Sequence, residues 1–93
     1  MKSILQSNKE CLICGTERNL HEHHIFFGNP NRKNSEKYGL KVWLCMNHHT
    51  GGNNSPHRNR EIDLSLKTLA QEAFEEKIGT REEFIEIFGK SWL

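Results

Sequence analysis

Two short segments in the first half of the chain have the hydrophobic pattern of β-strands. The first covers residues 20–27, and the second, residues 40–44, alternates apolar and polar positions. Between them lie a turn-forming stretch, residues 28–31, and a polar, basic stretch, residues 32–37. We therefore predict an antiparallel hairpin whose two strands are joined by a long loop.

The second half of the chain has the spacing of amphipathic helices. A stripe of apolar residues at helical intervals runs through residues 62–78 and stops at a glycine. The Ser-Pro pair at 55–56 is typical of a helix N-cap and first turn, so we predict that a helix starts there with His57 in its first turn. Thr80 and Glu83 have the spacing of a capping box and predict a last short helix.

The composition indicates that apolar burial is not the whole source of stability. Only 34% of the 93 residues are hydrophobic, so we expect one small domain with a small core. The chain also has three cysteines and six histidines. A structural zinc can contribute about 10 kcal/mol or more of apparent binding energy to folding, so a bound metal is the first candidate for the missing stability.

Positive charge is concentrated in the part of the chain that contains the histidines. Residues 1–60 include nine Lys/Arg, four Asp/Glu and all six His, whereas residues 61–93 include four Lys/Arg and eight Asp/Glu. This asymmetry indicates that a polyanion such as DNA could approach the histidine-rich half, although solvated surface charge alone also produces such a split.

The cysteines and the hydropathy pattern both bear on the compartment. No N-terminal apolar stretch is typical of a secretory signal, and no run approaches the ~20 residues that a membrane helix needs. We expect a cytoplasmic protein without a membrane partner. In a reducing compartment, an odd number of cysteines favours metal ligation over disulfides.

Three cysteines and one histidine have the spacing of a zinc site. Cys11 and Cys14 form C-x-x-C, and Cys45 and His48 form C-x-x-H. Thiolates with one imidazole are the ligands that tetrahedral zinc prefers, and four of them close the coordination sphere. We predict a structural Zn²⁺ that ties the N-terminal knuckle, the turn that contains Cys11 and Cys14, to the end of the second strand. The alternative is three ordinary cysteines, buried or free.

The other five histidines are more than a small polar domain needs for packing, although a lone histidine is usually a surface residue or a satisfied core residue. Their order along the chain is informative. An adjacent His-His pair followed by Ile lies on the first strand, and C-x-x-H-His follows the second strand. These five residues are His21, His23, His24, His49 and His57.

This order resembles the HNH endonuclease family. The ββα-metal motif of that family has (Asp/His)-His-Ile near the first strand and C-x-x-(C/H)-His after the second. His23-His24-Ile25 matches the first anchor, and residues 45–49 match the second. The resemblance covers about residues 11–57. It implies a metal-dependent endonuclease that hydrolyses phosphodiester bonds in DNA, with His23 as a metal ligand and His24 as the general base.

The expected chemistry fits these residue types. An imidazole with a pKa near 6.5 can accept a proton from water at neutral pH. A single Mg²⁺, Mn²⁺ or Zn²⁺ held by His23 and His49 would stabilise charge on the phosphate. The family usually supplies the third ligand one helical turn after the second anchor, and that position is Asn53. We expect His57 instead, with Asn53 as the alternative.

The sequence does not decide which residues orient the proposed base and the proposed metal ligands. The family has an asparagine about five residues before the cysteine of the second anchor, and there this chain has Gly-Leu at 39–40. Asn34 is the nearest asparagine in the loop. Because the resemblance implies that this asparagine orients the general base, the positioning of His24 is left open. His21, which alternation places on the same face as His23, is either a partner of a metal ligand or merely exposed.

Basic residues on predicted loops and element ends flank the proposed site. Such residues would contact phosphates and position the backbone without reading sequence, so we expect nicking with little sequence specificity. Some of them will simply be solvated. The residues are Arg18, Arg32, Lys33, Lys37, Lys41, Arg58 and Arg60.

The sequence from His23 through Phe88 is also similar to small phage-encoded proteins related to the recombination-enhancing, RecA-dependent nuclease. That similarity implies a role in DNA recombination or processing and a phage or prophage source, acting in the cytoplasm of a bacterial host. It also raises a RecA-type recombinase filament as one optional partner.

We therefore predict an α+β fold with one domain over residues 1–93. A zinc-stapled ββα-metal core would occupy residues 11–57, and a helical part would follow in residues 58–93. The competing hypothesis is a non-catalytic zinc-binding module that contacts DNA or a protein. A zinc hydrolase with another substrate is disfavoured because the chain has no H-E-x-x-H helix.

Overall fold

The computed structural model describes residues 2–51 and 55–93. Its strands and helices form a small α+β fold, as the sequence predicts. In chain order the elements are β1 (Leu20–His24), α1 (Asn31–Tyr38), β2 (Lys41–Cys45), a π-helical turn (Asn47–Gly51), α2 (Arg60–Lys77) and α3 (Arg81–Phe88).

The two strands pair as the predicted antiparallel hairpin. Leu20 lies opposite Cys45 at one end of the sheet, and His24 lies opposite Lys41 at the other. Leu12 extends the contacts of β2, because its backbone N–H donates to the Trp43 carbonyl at 2.9 Å. The sheet therefore connects the N-terminal knuckle at one end with the His-His pair near the other.

The first strand is shorter than predicted, ending at His24 and not at Phe27. The backbone N–H of Ile25 still donates to the Leu40 carbonyl at 3.0 Å. At Phe26 the strand partner is replaced by a side chain: the Ser35 hydroxyl accepts from the Phe26 N–H at 3.1 Å and donates to the Phe26 carbonyl at 2.7 Å. The serine hydroxyl thus satisfies the backbone groups that a longer strand would have paired.

The prediction of a long loop between the two strands is wrong in part, because residues 31–38 form the helix α1. The segment is polar and has no apolar stripe, so its helix depends on tertiary contacts. Besides the Ser35 bonds, the side-chain amides of Asn31 and Asn34 donate to the carbonyls of Phe88 and Ile87 at 3.5 and 3.3 Å. Gly39 ends α1 in the left-handed region with φ of 71°. A Cβ there would also collide with the Lys2 carbonyl.

The long helix begins later than predicted. Its N-cap is Asn59, whose side-chain oxygen accepts from the N–H groups of Glu61 and Ile62 at 3.0 and 3.3 Å. The Ser55 carbonyl instead accepts from the N–H groups of Arg58 and Asn59, which closes a turn. His57 therefore lies in a turn that precedes α2 and not in the first turn of the helix.

The end of α2 and the cap of α3 agree with the sequence. The last residue of α2 is Lys77, just before the predicted stop at Gly79. The Thr80 hydroxyl accepts from the Glu83 N–H, and the Glu83 carboxylate accepts from the Thr80 N–H, both at 3.1 Å. The predicted capping box is therefore confirmed.

Four phenylalanines from different segments form the centre of the core. Phe26 follows β1, Phe74 lies on α2, and Phe84 and Phe88 lie on α3; all four are buried. The ring of Phe26 lies 5.3 Å from that of Phe84 and 4.7 Å from that of Phe88, between centroids. Aromatic pairs at these distances add to the free energy of area burial, so the C-terminal helices fix the segment that follows β1. No helix in the described part of the chain is long and apolar enough to span a membrane.

Candidate metal centres

Cys11, Cys14, Cys45 and His48 lie close enough to bind one metal ion, and we refer to them as the cysteine cluster. Their ligand atoms all lie within 4.8 Å of one another. The sulfurs of Cys14 and Cys45 are 3.7 Å apart, and Nδ1 of His48 lies 3.2 Å from the Cys45 sulfur. Two thiolates on one tetrahedral zinc, each about 2.3 Å from it, would be about 3.8 Å apart, so the cluster is compatible with zinc.

Local backbone structure shapes the first half of the cysteine cluster. The Cys11 carbonyl accepts from the Gly15 N–H at 2.8 Å, and the Cys11 N–H donates to the Thr16 carbonyl at the same distance. Gly15 has a φ of 78°, a conformation that glycine adopts without the usual steric cost. The other half comes from the last residue of β2 and the π-helical turn, so two segments far apart in sequence supply the ligands.

Cys11 is prepared for the thiolate form that a metal requires. Burial acts to raise the pKa of its thiol. Hydrogen bonds from the backbone at Cys45, Cys14 and Ile13 outweigh burial and lower the pKa from 9.0 to about 6. A sulfur that is already a thiolate at neutral pH binds zinc without first releasing a proton.

His23, His49 and His57 form a second group, which we call the histidine triangle. Their ring centroids are 5.2, 5.3 and 5.1 Å apart for the pairs 23–49, 23–57 and 49–57. Each offers a ring nitrogen within 4.8 Å of the others. β1 supplies the first of these side chains, the π-helical turn the second, and the turn before α2 the third.

The environment of the His23 ring nitrogen Nε2 indicates that the histidine triangle binds a ligand. His23 is 1% exposed, and its Nε2 has no hydrogen-bond partner among the described residues. Burial, followed by repulsion from His49 and His57, lowers the pKa of His23 to about 3. Burial and the neighbouring His57 also lower the pKa of His49. Neutral imidazoles with a free nitrogen are good ligands for a divalent metal, so the residues fit such an ion.

His24 contacts a different set of groups. Its Nε2 lies 2.9 Å from Oε1 of Glu36, a residue of α1. The second oxygen of Glu36 accepts from Lys41 at 2.7 Å, and Lys41 also lies 3.1 Å from Glu22. Lys41, followed by His24, lowers the pKa of Glu36 to about 2, so the carboxylate is ionised at neutral pH. An ionised carboxylate only accepts, so Nε2 of His24 donates and neutral His24 keeps its lone pair on Nδ1.

His24 and the histidine triangle line the same small cleft. The cavity measures about 220 Å³, and its lining also includes Arg32 from the first turn of α1 and Phe27. We call this cavity the histidine cleft. A candidate base, three candidate ligands and a guanidinium therefore meet in a space that a phosphate group could enter.

The basic residues predicted to contact DNA have different surroundings. Arg32 lines the histidine cleft, and Arg58 and Arg60 line a neighbouring depression beside His57. Arg18, Lys33 and Lys37 are exposed. Lys41 departs from the expectation of a solvated cation, because it is only 7% exposed and is paired with two carboxylates.

The sequence also made His21, Asn34 and Asn53 candidates for roles in the site. His21 is exposed, and its ring contacts that of His49. The amide of Asn34 donates to the Ile87 carbonyl on α3. Asn53, the alternative third ligand, lies outside the described residues. Among the described residues, the structure brings His57 to the triangle.

Sequence reasoning missed Glu36 as a partner of His24 and saw Lys41 only as a surface cation. One signal was available: Glu36 is the only acidic residue between positions 29 and 41, in a stretch that is otherwise polar and basic. Its proximity to His24 could not be seen, because it requires both α1 and the register of the strands.

Comparison of the chain with protein-family models, with curated proteins and with solved structures finds no match. We therefore infer the function from the geometry of the site.

Proposed function

We propose that this chain is a metal-dependent DNA endonuclease of the HNH type, with a ββα-metal site built on β1, β2 and the π-helical turn. The observation that carries the proposal is the histidine triangle beside His24. Three imidazoles converge, the buried Nε2 of His23 has no hydrogen-bond partner among the described residues, and Nε2 of the adjacent His24 contacts Glu36.

In this proposal the cysteine cluster binds a structural Zn²⁺. Its four ligands complete a tetrahedral coordination sphere, which leaves no position for water or substrate. The small core of the chain makes such an ion a large part of its stability. This ion would hold the knuckle against β2 and take no part in the reaction.

His23, His49 and His57 would hold a single catalytic Mg²⁺, Mn²⁺ or Zn²⁺. When bound, a divalent ion at this position stabilises negative charge on the phosphate and on the leaving oxygen. His24, in the same cleft, accepts the proton of the attacking water at Nδ1. Arg32 binds the phosphate and keeps it over the triangle.

The charge of the surroundings is consistent with DNA as the substrate. Arg32, Arg58 and Arg60 lie in or beside the histidine cleft. Contacts between such residues and phosphates position a duplex without reading its bases. We therefore propose nicking with little sequence preference, in phage or prophage DNA recombination or processing in the host cytoplasm.

The experiment that tests the proposal is nicking of supercoiled plasmid by the wild type and by His24→Ala, with Mg²⁺, Mn²⁺ or EDTA. The two proteins are compared at equal zinc content and equal far-UV circular dichroism. We expect metal-dependent nicking by the wild type and a loss of about 10²-fold or more in the variant. A RecA-type filament is added in a parallel series, which tests whether nicking requires that partner.

A second candidate function is a non-catalytic zinc module that binds DNA or a protein. The observation that favours it is the cysteine cluster, since a closed set of four ligands is sufficient for a structural zinc and requires no second metal. Metal stoichiometry separates the two functions. One tightly held zinc per chain, with no second exchangeable site and no nicking in either series, would support the module and overturn the nuclease.

A further inference from the structure

We propose that Glu36 is the positioning residue of His24: it holds the hydrogen on Nε2 and so reserves Nδ1 for the proton of the attacking water. This inference rests on the proposed nuclease function and names the residue that supports its base. It concerns a contact between β1 and α1 that neither anchor of the resemblance contains.

The carboxylate of Glu36 is held at both oxygens. Oε1 lies 2.9 Å from Nε2 of His24, and Oε2 lies 2.7 Å from Nζ of Lys41. A carboxylate fixed by two different donors has little rotational freedom, so the direction of its bond to His24 is defined. An imidazole fixed by such a bond keeps one tautomer and one ring orientation.

The fold places Glu36 at this position through neighbours that are themselves fixed. Ser35, the preceding residue, is fully buried and its hydroxyl bonds both backbone groups of Phe26. Lys41, the residue on the other side of the carboxylate, lies opposite His24 in the strand register. The base, the carboxylate and the lysine are therefore tied to one another through both α1 and the sheet.

Lys41, the second partner of the Glu36 carboxylate, is a buried cation. It is 7% exposed, and removing an ammonium group from water is costly unless carboxylates pair with it. Glu36 and Glu22 do so at 2.7 and 3.1 Å. A charge buried in this way rigidifies the carboxylate that holds His24.

The charge of Glu36 also matters during the reaction. As the water oxygen bonds to phosphorus, its proton passes to Nδ1 of His24, and the bond from phosphorus to the leaving oxygen breaks. The leaving oxygen then takes a proton from solvent. His24 becomes an imidazolium, and an adjacent carboxylate stabilises that cation, as the aspartate does in serine-protease triads.

A different use of the same side chains is a third metal site, because Glu22, His24 and Glu36 also offer ligand atoms within 4.8 Å of one another. The ammonium group of Lys41 argues against it. Its Nζ contacts both carboxylates, so a positive charge already occupies the position where a cation would be attracted. We therefore favour positioning, and the test includes metal binding.

The test compares Glu36→Ala and Glu36→Gln with the wild type and with Glu75→Gln. Glu75 is a matched control, since it is a carboxylate on α2 that accepts from Gln71 on the same helix and from Arg81 on α3, outside the histidine cleft. Three quantities are measured: the nicking rate, the tautomer of His24 from its ¹⁵N chemical shifts, and the affinity for Mn²⁺.

We expect the wild type to carry the hydrogen of His24 on Nε2. Glu36→Ala should lose this preference and nick about 10- to 100-fold more slowly at unchanged Mn²⁺ affinity, as is usual for partners of site residues. Glu36→Gln keeps an acceptor but not the charge, so it should fall between the two. Glu75→Gln should behave as the wild type does.

Loss of Glu36 leaves the Lys41 ammonium with fewer partners, so Glu36→Ala could fail to fold. The double variant Glu36→Ala/Lys41→Met removes that buried charge and is measured in parallel. The inference is overturned if the folded variant nicks within about threefold of the wild type, if the hydrogen of His24 lies on Nδ1 in the wild type, or if Mn²⁺ affinity falls together with the rate.

The measurements distinguish a wrong role for Glu36 from a wrong assignment of the nuclease function. A wild type that does not nick, with or without a recombinase filament, overturns the nuclease, while the ¹⁵N shifts still report whether Glu36 controls the tautomer. A wild type that nicks, together with an equally active Glu36→Ala, retains the nuclease and removes only the role of Glu36.

Discussion

The Nδ1 atom of His21 lies 3.0 Å from the Nδ1 atom of His49. On the other side of the His49 ring, Nε2 lies 3.4 Å from Nε2 of His57. A hydrogen bond at Nδ1 fixes the ring of a metal-binding histidine and leaves Nε2 for the metal. The exposed His21 is therefore in a position to orient one corner of the histidine triangle.

Replacing His21 by alanine should weaken the second metal site and spare the first. We expect Mn²⁺ affinity to fall by about 10- to 100-fold, because His49 loses the partner that orients it. Isothermal titration of Mn²⁺ into zinc-loaded protein measures the effect. Glu17→Ala, on the exposed segment before β1, serves as the control, and equal affinities for the wild type and His21→Ala would contradict this role.

Two adjacent histidines should respond to substitution in opposite ways. His48 belongs to the cysteine cluster and His49 to the histidine triangle. We expect His48→Ala to lose tightly bound zinc and most of its folded structure, since a structural zinc contributes about 10 kcal/mol or more of apparent folding energy. His49→Ala should keep its zinc and fold but lose exchangeable Mn²⁺ binding.

Zinc content by atomic absorption and thermal unfolding by circular dichroism distinguish these two variants. Because the substitutions are chemically identical and one residue apart, each is the control for the other. Equal zinc loss in both variants would show that the two histidines share one metal, contrary to the division into two centres.

The buried His23 should make stability depend on pH. Its pKa is about 3 in the folded chain, against 6.5 for an ordinary histidine, chiefly because of burial. Between pH 3 and pH 6.5 the unfolded chain binds more protons at this residue than the folded chain does. The free energy of unfolding is therefore highest above pH 6.5 and falls as the pH decreases. From pH 7.0 to 5.5 the expected loss from this residue is about 1 kcal/mol.

Urea unfolding of the zinc-loaded protein, with the second site cleared by a mild chelator, measures this loss. His23→Gln removes the titrating group and should have a shallower dependence on pH over the same range. The assignment fails if the two slopes are equal. Because acid also releases zinc from cysteines, zinc content is monitored at each pH.

Arg32 should contribute to DNA binding through one phosphate. It lines the histidine cleft, whereas Lys90 lies beside the Trp92 ring near the C-terminal end of the chain. We expect Arg32→Ala to weaken plasmid binding equally across sequences and to reduce the slope of log K against log salt by about 1. Fluorescence anisotropy at several salt concentrations measures both. Lys90→Ala is the control, and an unchanged slope in Arg32→Ala would exclude this contact.

The sequence alone determined the local features of this protein. The two strands, the capping box of Thr80 and Glu83 and each half of the cysteine cluster follow from short-range patterns, because strand alternation, helix caps and the spacing of each ligand pair are encoded within a few residues. Spacing predicted His48 as a member of the cysteine cluster, and the resemblance implied His49 as a ligand of a second metal. The structure brings each to its expected neighbours.

Only the tertiary structure decided the rest. Residues 31–38 are helical because Ser35 bonds Phe26 and because Asn31 and Asn34 bond the carbonyls of α3, contacts that no local pattern reveals. The partner of His24 is a glutamate from that helix, held by a lysine from the opposite strand. Such contacts depend on strand register and on the packing of distant helices, and these are fixed by the whole chain and not by any one segment.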